Sequence, residues 1–248
     1  MKIKKLNDFV NEGRFYNETL NPQFWDEDKK FNQRIRGKLL IIANDFFESL
    51  GLDVDIEDVE LTGSLANYNY TEYSDLDVHI IIDFKKVNRD VELVKKLVDN
   101  QKFQWGIRHN ITIKGHDVEL YIQNVNEKHT ASGLFSLMNN EWLREPKFKE
   151  PEIDEADVDS KTVYYIKAID KLERLSQHED LKFDDLDKYF EYAKKLKTKI
   201  HSERKESLET PKAEYSVENL VFKELRNKGY FGKLIDIINV LYDKQFIQ

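Results

Sequence analysis

Leu61 to Ile82 reads LTGSLANYNYTEYSDLDVHIII, in which a Gly-Ser pair is followed, after ten loop residues, by Asp-Leu-Asp at the head of an apolar run. The flanks VELTGS and LDVHIIID have the length and composition of two short strands. Strand alternation places Asp75 and Asp77 on one face and Leu76 and Val78 on the other. Two carboxylates so placed repel, and each raises the pKa of the other unless positive charge lies between them. A divalent cation relieves the conflict, and carboxylate oxygens joined by substrate phosphate oxygens suit octahedral magnesium. A glycine closing the first strand lets backbone N–H groups come close to a phosphate, and the hydroxyl of Ser64 adds a donor. His79 falls on the face of the two aspartates, either as a phosphate or second-sphere group or as an ordinary half-buried histidine.

On the N-terminal side, KFNQRIRGKLLIIANDFFESLG carries Ile35, Leu39, Ile42, Phe46 and Leu50 at helical spacing and stops at Gly51. On the C-terminal side, NRDVELVKKLVDN reads as a helix beginning near Asn88, and GIRHNITIKGHDVELYIQN as two strands joined at Lys114-Gly115-His116. In the second of these strands Val118, Leu120 and Ile122 point one way and Asp117, Glu119, Tyr121 and Gln123 the other. The first half of the chain is thus an α+β sheet unit. REPKFKEPEIDEADVDS then brings two of the four prolines and an acidic run, Glu150 to Asp159, which reads as the crossing between domains. Every later segment has helical period, with a serine cap offered at Ser216 and a C-terminal stop at Gly229, so the second half reads as a helical bundle.

Composition sets limits on function. With 248 residues, 40% of them hydrophobic, the chain is long and apolar enough for a sizeable core. No run is long enough to span a bilayer, and MKIKKLNDFVNEG lacks the apolar segment of a secretory signal, so a soluble, cytoplasmic protein is expected. Zero cysteines exclude disulfides, thiolate metal sites and cysteine nucleophiles, leaving carboxylate, imidazole or water to hold any metal. A net charge of -8 opposes wholesale binding of nucleic acid. One local basic run stands out, KKLKTKIHSERK from Lys194 to Lys205, readable as a solvated helix face or as a patch for RNA.

The ordered set of strand, Gly63-Ser64, loop and Asp75-Leu76-Asp77 resembles the DNA polymerase β-like nucleotidyltransferase superfamily, whose signature is a hydrophobic residue, Gly-Ser, a variable loop and Asp-hydrophobic-Asp. The third carboxylate expected on a later strand corresponds to Glu119 between Val118 and Leu120, with Asp117 as a rival on the same face. Two positions depart from the pattern: Thr62 stands before Gly63, and Asn67 occupies a loop position where many minimal members carry arginine. The resemblance implies a polymerase β-like sheet domain with flanking helices and a C-terminal helical bundle. The corresponding divisions are an N-terminal extension at 1–23, a catalytic domain at 24–145, an acidic linker at 146–160 and a helical domain at 161–248. It also implies two magnesium ions, replaceable by manganese, on Asp75, Asp77 and Glu119. The β- and γ-phosphates of a nucleoside triphosphate such as ATP would lie on Gly63 and Ser64, and a nucleoside monophosphate would pass to a hydroxyl with release of pyrophosphate.

The family draws a basic residue from its helical domain to the triphosphate, and Lys161 and Lys223, with Lys167 and Arg226, are the candidates here. Tyr68, Tyr70 and Tyr73 either stack on a base or pack the loop. The acceptor is open among an RNA 3′ end, a protein hydroxyl and a second nucleotide. The first residues, with Val10-Asn11-Glu12-Gly13, resemble the head-targeting peptides of T-even-like tailed phages, and LNPQFW and YSVENLVFKELRNKGY look like segments of nucleotidyltransferases from such phages. The alternative expectation is therefore a catalytically silent binding protein of the same fold, packaged in a phage head.

Overall fold

The computed structural model describes residues 14–128, 131–178, 182–210 and 212–246; the Val10 to Gly13 motif lies outside them. The described residues form two compact units that part between Lys149 and Glu150. The first is a mixed α+β sheet unit and the second is helical.

In the first unit helix α1 (Gln33–Ser49) is capped by Asn32, whose side chain accepts from the N–H groups of Arg34 and Ile35. Its stripe of Ile35, Leu39, Ala43, Phe46 and Phe47 is buried, and the chain leaves the helix through Gly51 at φ 63°. Strands β1 (Asp58–Thr62) and β2 (Leu76–Ile82) follow, joined by the loop that the sequence places between Gly63 and Asp75. A single helical turn α2 (Phe84–Val87) and the longer α3 (Val91–Arg108) carry the chain across to β3 (Thr112–Ile113) and β4 (His116–Asn124). Strands β5 (Leu134–Ser136) and β6 (Glu141–Arg144) complete the sheet, whose order is β3-β4-β2-β1-β5-β6.

Strand β2 is central. It runs antiparallel to β1 and parallel to β4, and a parallel neighbour requires a crossover of the kind α3 supplies. Leu76, Val78, Ile80 and Ile82 are fully buried. The β3–β4 hairpin turns at Lys114 and Gly115 with φ of 57° and 86°, the left-handed pair that a two-residue turn needs.

Several boundaries differ from the sequence reading. Gly106, Ile107 and Arg108 belong to α3, which starts at Val91 because Asp90, not Asn88, caps it by accepting from Leu93 N–H. Residues 14–23 pack on the sheet unit: Phe15 and Leu20 are buried, and the side chain of Asn17 donates to the carbonyl of Tyr70 at 2.8 Å. An aromatic cluster of Phe24, Trp25, Phe31, Phe135 and Trp142 fixes this edge, with Trp25 stacked on Trp142 at 4.4 Å and donating to the carbonyl of Leu65 at 2.8 Å.

The second unit contains α4 (Glu155–Ser176), α5 (Phe183–Leu208), α6 (Val217–Asn227) and α7 (Tyr230–Phe246). Part of the acidic stretch read as linker is the start of α4. Asp154 caps the helix by accepting from Asp157 N–H, and Glu155 and Asp157 lie in the first turn, where carboxylates complement the helix dipole. Ser216 does occupy the cap position of α6, but its hydroxyl lies 2.7 Å from the carbonyl of Ala213 and makes no cap hydrogen bond. The helices close over residues such as Tyr165, Ile169, Leu196, Ile200, Leu225 and Leu234, all buried. Among the described residues no helix is long and apolar enough to cross a membrane.

All three tryptophans, Trp25, Trp105 and Trp142, lie in the sheet unit, so their fluorescence follows that unit alone. Ile80→Ala on the central strand should destabilise it by about 3 kcal/mol through lost burial and a residual cavity. Urea unfolding followed by tryptophan emission should show the loss, while the helical circular dichroism of the second unit should change little.

Candidate active site

The site is built by strand register. Thr62 faces Asp77 across the β1–β2 pair, and Asp77 lies beside Glu119 across the β2–β4 pair. Asp75 immediately precedes β2, and it, Asp77 and Glu119 are all half-buried. Asp117 is exposed and pairs with Thr112 in the β3–β4 hairpin, so Glu119 and not its rival is the register neighbour of Asp77.

Gly63 closes β1 at φ 76° and ψ -162°, a region that residues with a side chain scarcely enter. A second constraint acts at the same atom: a Cβ on Gly63 would stand 1.9 Å from Oδ2 of Asp77. The carboxylate is packed directly against the bare backbone. A 3₁₀ turn, Ser64–Ala66, follows at once, and its Ala66 carbonyl would lie 1.8 Å from a Cβ on Gly133. Thr62 donates to the Gly133 carbonyl at 3.1 Å, which uses the hydroxyl that an aliphatic residue at this position would lack.

The loop from Leu65 to Ser74 is closed by its own polar groups. Ser64 Oγ donates to Ser74 Oγ at 2.8 Å, so in this structure its proton points into the loop. Ser74 Oγ also accepts from Thr71 N–H, and the Ser74 carbonyl lies 2.5 Å from Nδ1 of buried His116. A carbonyl only accepts, so that ring nitrogen carries the proton. Of the loop tyrosines, Tyr68 is buried and meets Phe148 edge to face at 5.3 Å, and Tyr70 packs on the core. Loop packing is what these two rings do; Tyr73, 53% exposed, alone presents its surface to solvent. Asn67 is buried, with its N–H bonded to the Ser64 carbonyl.

Three further side chains complete the site, and the sequence reading assigned no role to any of them. Tyr121 Oη donates to Glu119 Oε2 at 2.5 Å. Lys102 reaches from α3 to place Nζ 3.7 Å from the same oxygen and 3.2 Å from the centre of the Tyr121 ring. Gln123 Oε1 lies 2.6 Å from Nδ1 of His79, whose ring stacks on Tyr121 at 4.6 Å. Burial raises the pKa of the Tyr121 hydroxyl, and the charges of Asp77, Glu119 and Asp75 raise it further. Burial lowers that of Lys102, against the pull of Glu119 and Asp77. The three carboxylates therefore act as one negative field on one face of the sheet.

The donor set is all oxygen and suits a hard divalent cation. Among the described residues no group of three histidine, aspartate or glutamate side chains is gathered closely enough to hold a metal ion. Glu119 is turned instead toward Tyr121 and Lys102. With side chains 32% and 42% exposed, the Lys102–Glu119 pair adds little stability, and its effect is to bias where the carboxylate sits.

The basic candidates belong to the helical unit and are described there. Lys161 on α4 is held by Asp157 at 3.1 Å and Glu218 at 2.9 Å, and the bond to Glu218 raises its pKa. Lys223 is half-buried on α6, and Lys167 and Arg226 are exposed. Tyr121 was within reach of sequence reasoning, two residues past Glu119 on the same strand face. Lys102 was not, because no local pattern ties a mid-helix lysine to a carboxylate seventeen residues further on in another element. Comparison with protein-family models, curated proteins and solved structures finds no match.

Gly63→Ala should destabilise the sheet unit by about 3 kcal/mol, from backbone strain and from the contact with Asp77. In an Asp77→Ala background only the strain remains, and the cost should fall to about 1–2 kcal/mol. Tryptophan-detected urea unfolding of the two single variants and the double variant checks the coupling; strict additivity would mean that the carboxylate does not press on the glycine.

Proposed function

We propose that the chain is a magnesium-dependent nucleotidyltransferase of the polymerase β-like type, which transfers a nucleoside monophosphate from a nucleoside triphosphate to a hydroxyl and releases pyrophosphate. The observation that carries this reading is the contact between the Asp77 carboxylate and Gly63, with Glu119 at the next register position. A carboxylate held against bare backbone at a strand end brings a metal ligand and a phosphate-approach point together, which a merely structural acidic pair has no need to do.

Asp75 and Asp77 are the residues that would hold the cation, joined by Glu119 once its side chain leaves Tyr121. A divalent ion bound there neutralises triphosphate charge and lowers the pKa of an acceptor hydroxyl. The chain's own groups do the rest. The turn after Gly63 lets main chain approach the β- and γ-phosphates without side-chain interference. Ser64 donates to a phosphate oxygen by rotating its hydroxyl away from Ser74. Lys102 offsets the carboxylates' charge, and Tyr121 with His79 forms a stacked wall beside them. Lys161 and Lys223 are the proposed triphosphate contacts of the helical unit. The acceptor is an RNA 3′ end, a protein hydroxyl or a second nucleotide.

A second reading is favoured by one observation: Glu119 is already satisfied by Tyr121 and Lys102. In it the fold persists as a silent binding protein, packaged in a phage head.

Labelled nucleoside triphosphates offered with magnesium and a pool of RNA and protein should yield labelled product and pyrophosphate. Asp75→Ala and Asp77→Ala should each cut the rate by more than about a hundredfold, since ligand loss exceeds the tenfold to hundredfold typical of groups behind a ligand. Calorimetric titration should find triphosphate binding only when magnesium is present; metal-independent binding, or none, would favour the silent protein. Lys102→Met should free Glu119 and tighten magnesium binding in the same titration, whereas a fall in metal affinity would show that the lysine does not compete.

A further inference from the structure

The helical unit carries a groove that the carboxylate chemistry does not use. A cavity of about 670 Å³ lies between α4 and α5, lined by Lys171 and Leu172 of α4 and by Lys188, Tyr189, Tyr192 and Lys195 of α5. A shallower extension of about 410 Å³ continues along α5 from Lys195 to Lys199 and Ser202. The volume is that of an ordinary ligand site, and the floor between the lysines is apolar and aromatic.

Part of its charge is left without an ion pair. Three nearby carboxylates are engaged with other lysines: Asp170 and Glu173 both hold Lys233 of α7, at 3.0 and 2.8 Å, and Glu191, which lines the groove, holds Lys194 at 2.8 Å. Among the described residues Lys171, Lys188 and Lys195 have no ion-pair partner, and Lys199 has one at longer range, Glu203 at 3.7 Å. From Lys188 to Lys205 the sequence has seven basic residues against two acidic ones, in a chain whose net charge is -8. Asp184, Asp185 and Asp187 precede Lys188 at the N-terminal end of α5, the first two in its first turn, where the helix dipole favours them.

Two features choose among anions. Lys188, Lys195 and Lys199 recur along one ridge of α5, about 10 Å and then about 6 Å apart at 1.5 Å per residue, so the positive charge forms a line rather than a point. Tyr189 and Tyr192 lie between them, and Tyr192 is 47% exposed, offering an aromatic surface inside the row of cations. An acidic peptide would use the lysines and leave the rings idle. A strand of repeated phosphates bearing flat bases uses both.

We propose that this groove binds single-stranded nucleic acid, with Lys171, Lys188, Lys195 and Lys199 on the phosphates and Tyr192, supported by Tyr189, stacked on a base. The site lies wholly within the helical unit and does not depend on the transferase reading. If both hold, the acceptor is RNA or another single strand.

The test uses the whole chain and a fluorescein-labelled single-stranded RNA dodecamer, with anisotropy read from about 50 to 200 mM salt. Binding should weaken steeply with salt, and the double variant Lys188→Ala/Lys195→Ala should reduce the log–log slope by about 1.4, at about 0.7 per lost phosphate contact. Tyr192→Ala should weaken binding by about tenfold, within the range of one lost base stack. Lys38→Ala, at an exposed position of α1, should change nothing. Asp77→Ala should bind as tightly as the unaltered chain, which keeps this result separate from the fate of the transferase reading. Circular dichroism verifies that the variants retain their helices. Absence of binding at the lowest salt would overturn the proposal. So would competition by poly-glutamate as effective as by RNA, with Tyr192→Ala unaffected, which would make the groove a site for acidic protein. Equal affinity for a duplex would exclude the stacking role.

Discussion

The sheet unit is organised around the contact between the Asp77 carboxylate and the Cα of Gly63. It can form only if β1 ends where it does, in a backbone conformation closed to residues with side chains, and only if β2 pairs with β1 in the register that sets Thr62 opposite Asp77. Shifting that register by one residue would turn Asp77 into the core and Leu76, Val78, Ile80 and Ile82 out to solvent. The buried apolar set and the acidic site are thus one constraint seen from two faces of β2. Gly133 makes a second close approach just beyond, against the Ala66 carbonyl, and ties β5 to the same turn.

On the acidic face the problem is electrostatic. Half-buried carboxylates on adjacent strands cost free energy unless their field is offset. Without a cation the chain offsets it partly by itself, through the Lys102 ammonium and a Tyr121 hydroxyl that burial and the neighbouring negative charge keep protonated. Glu119 is consequently the side chain with an alternative: it serves the Tyr121–Lys102 pair in this structure and has the register position to serve a metal. In the helical unit the uneven charge is local: Asp170, Glu173 and Glu191 beside the groove hold Lys233 and Lys194, and lysines are concentrated along the middle of α5.

Much of this was legible in the sequence, for reasons that can be named. The α1 stripe, the alternation in β2 and β4 and the Lys114-Gly115 turn depend on local period and local φ, which neighbouring residues dictate. The start of α4 was hidden because an acidic run preceding a helix looks the same whether it is linker or dipole-complementing first turn. Ser216 was read correctly as a position and not as a bond, since its hydroxyl had a nearer carbonyl to serve. The tyrosines of the loop looked alike in sequence, but the place of Phe148 buries Tyr68 and leaves Tyr73 outside.

The sequence by itself determined that the chain has an α+β half and a helical half, that Gly63 stands where a strand must end, and that Asp77 and Glu119 lie on the faces of their strands opposite the aliphatic residues. These follow from periodicity, which acts over a few residues. The tertiary structure decided the pairing of β2 with β4, and therefore that Glu119 and not Asp117 neighbours Asp77. It also decided that Lys102 enters the site from a helix and that lysines with no ion-pair partner among the described residues flank the α4–α5 groove. Each of these depends on side chains far apart in the chain meeting across packed elements. Their charges and shapes act through space, and no spacing along the sequence encodes them.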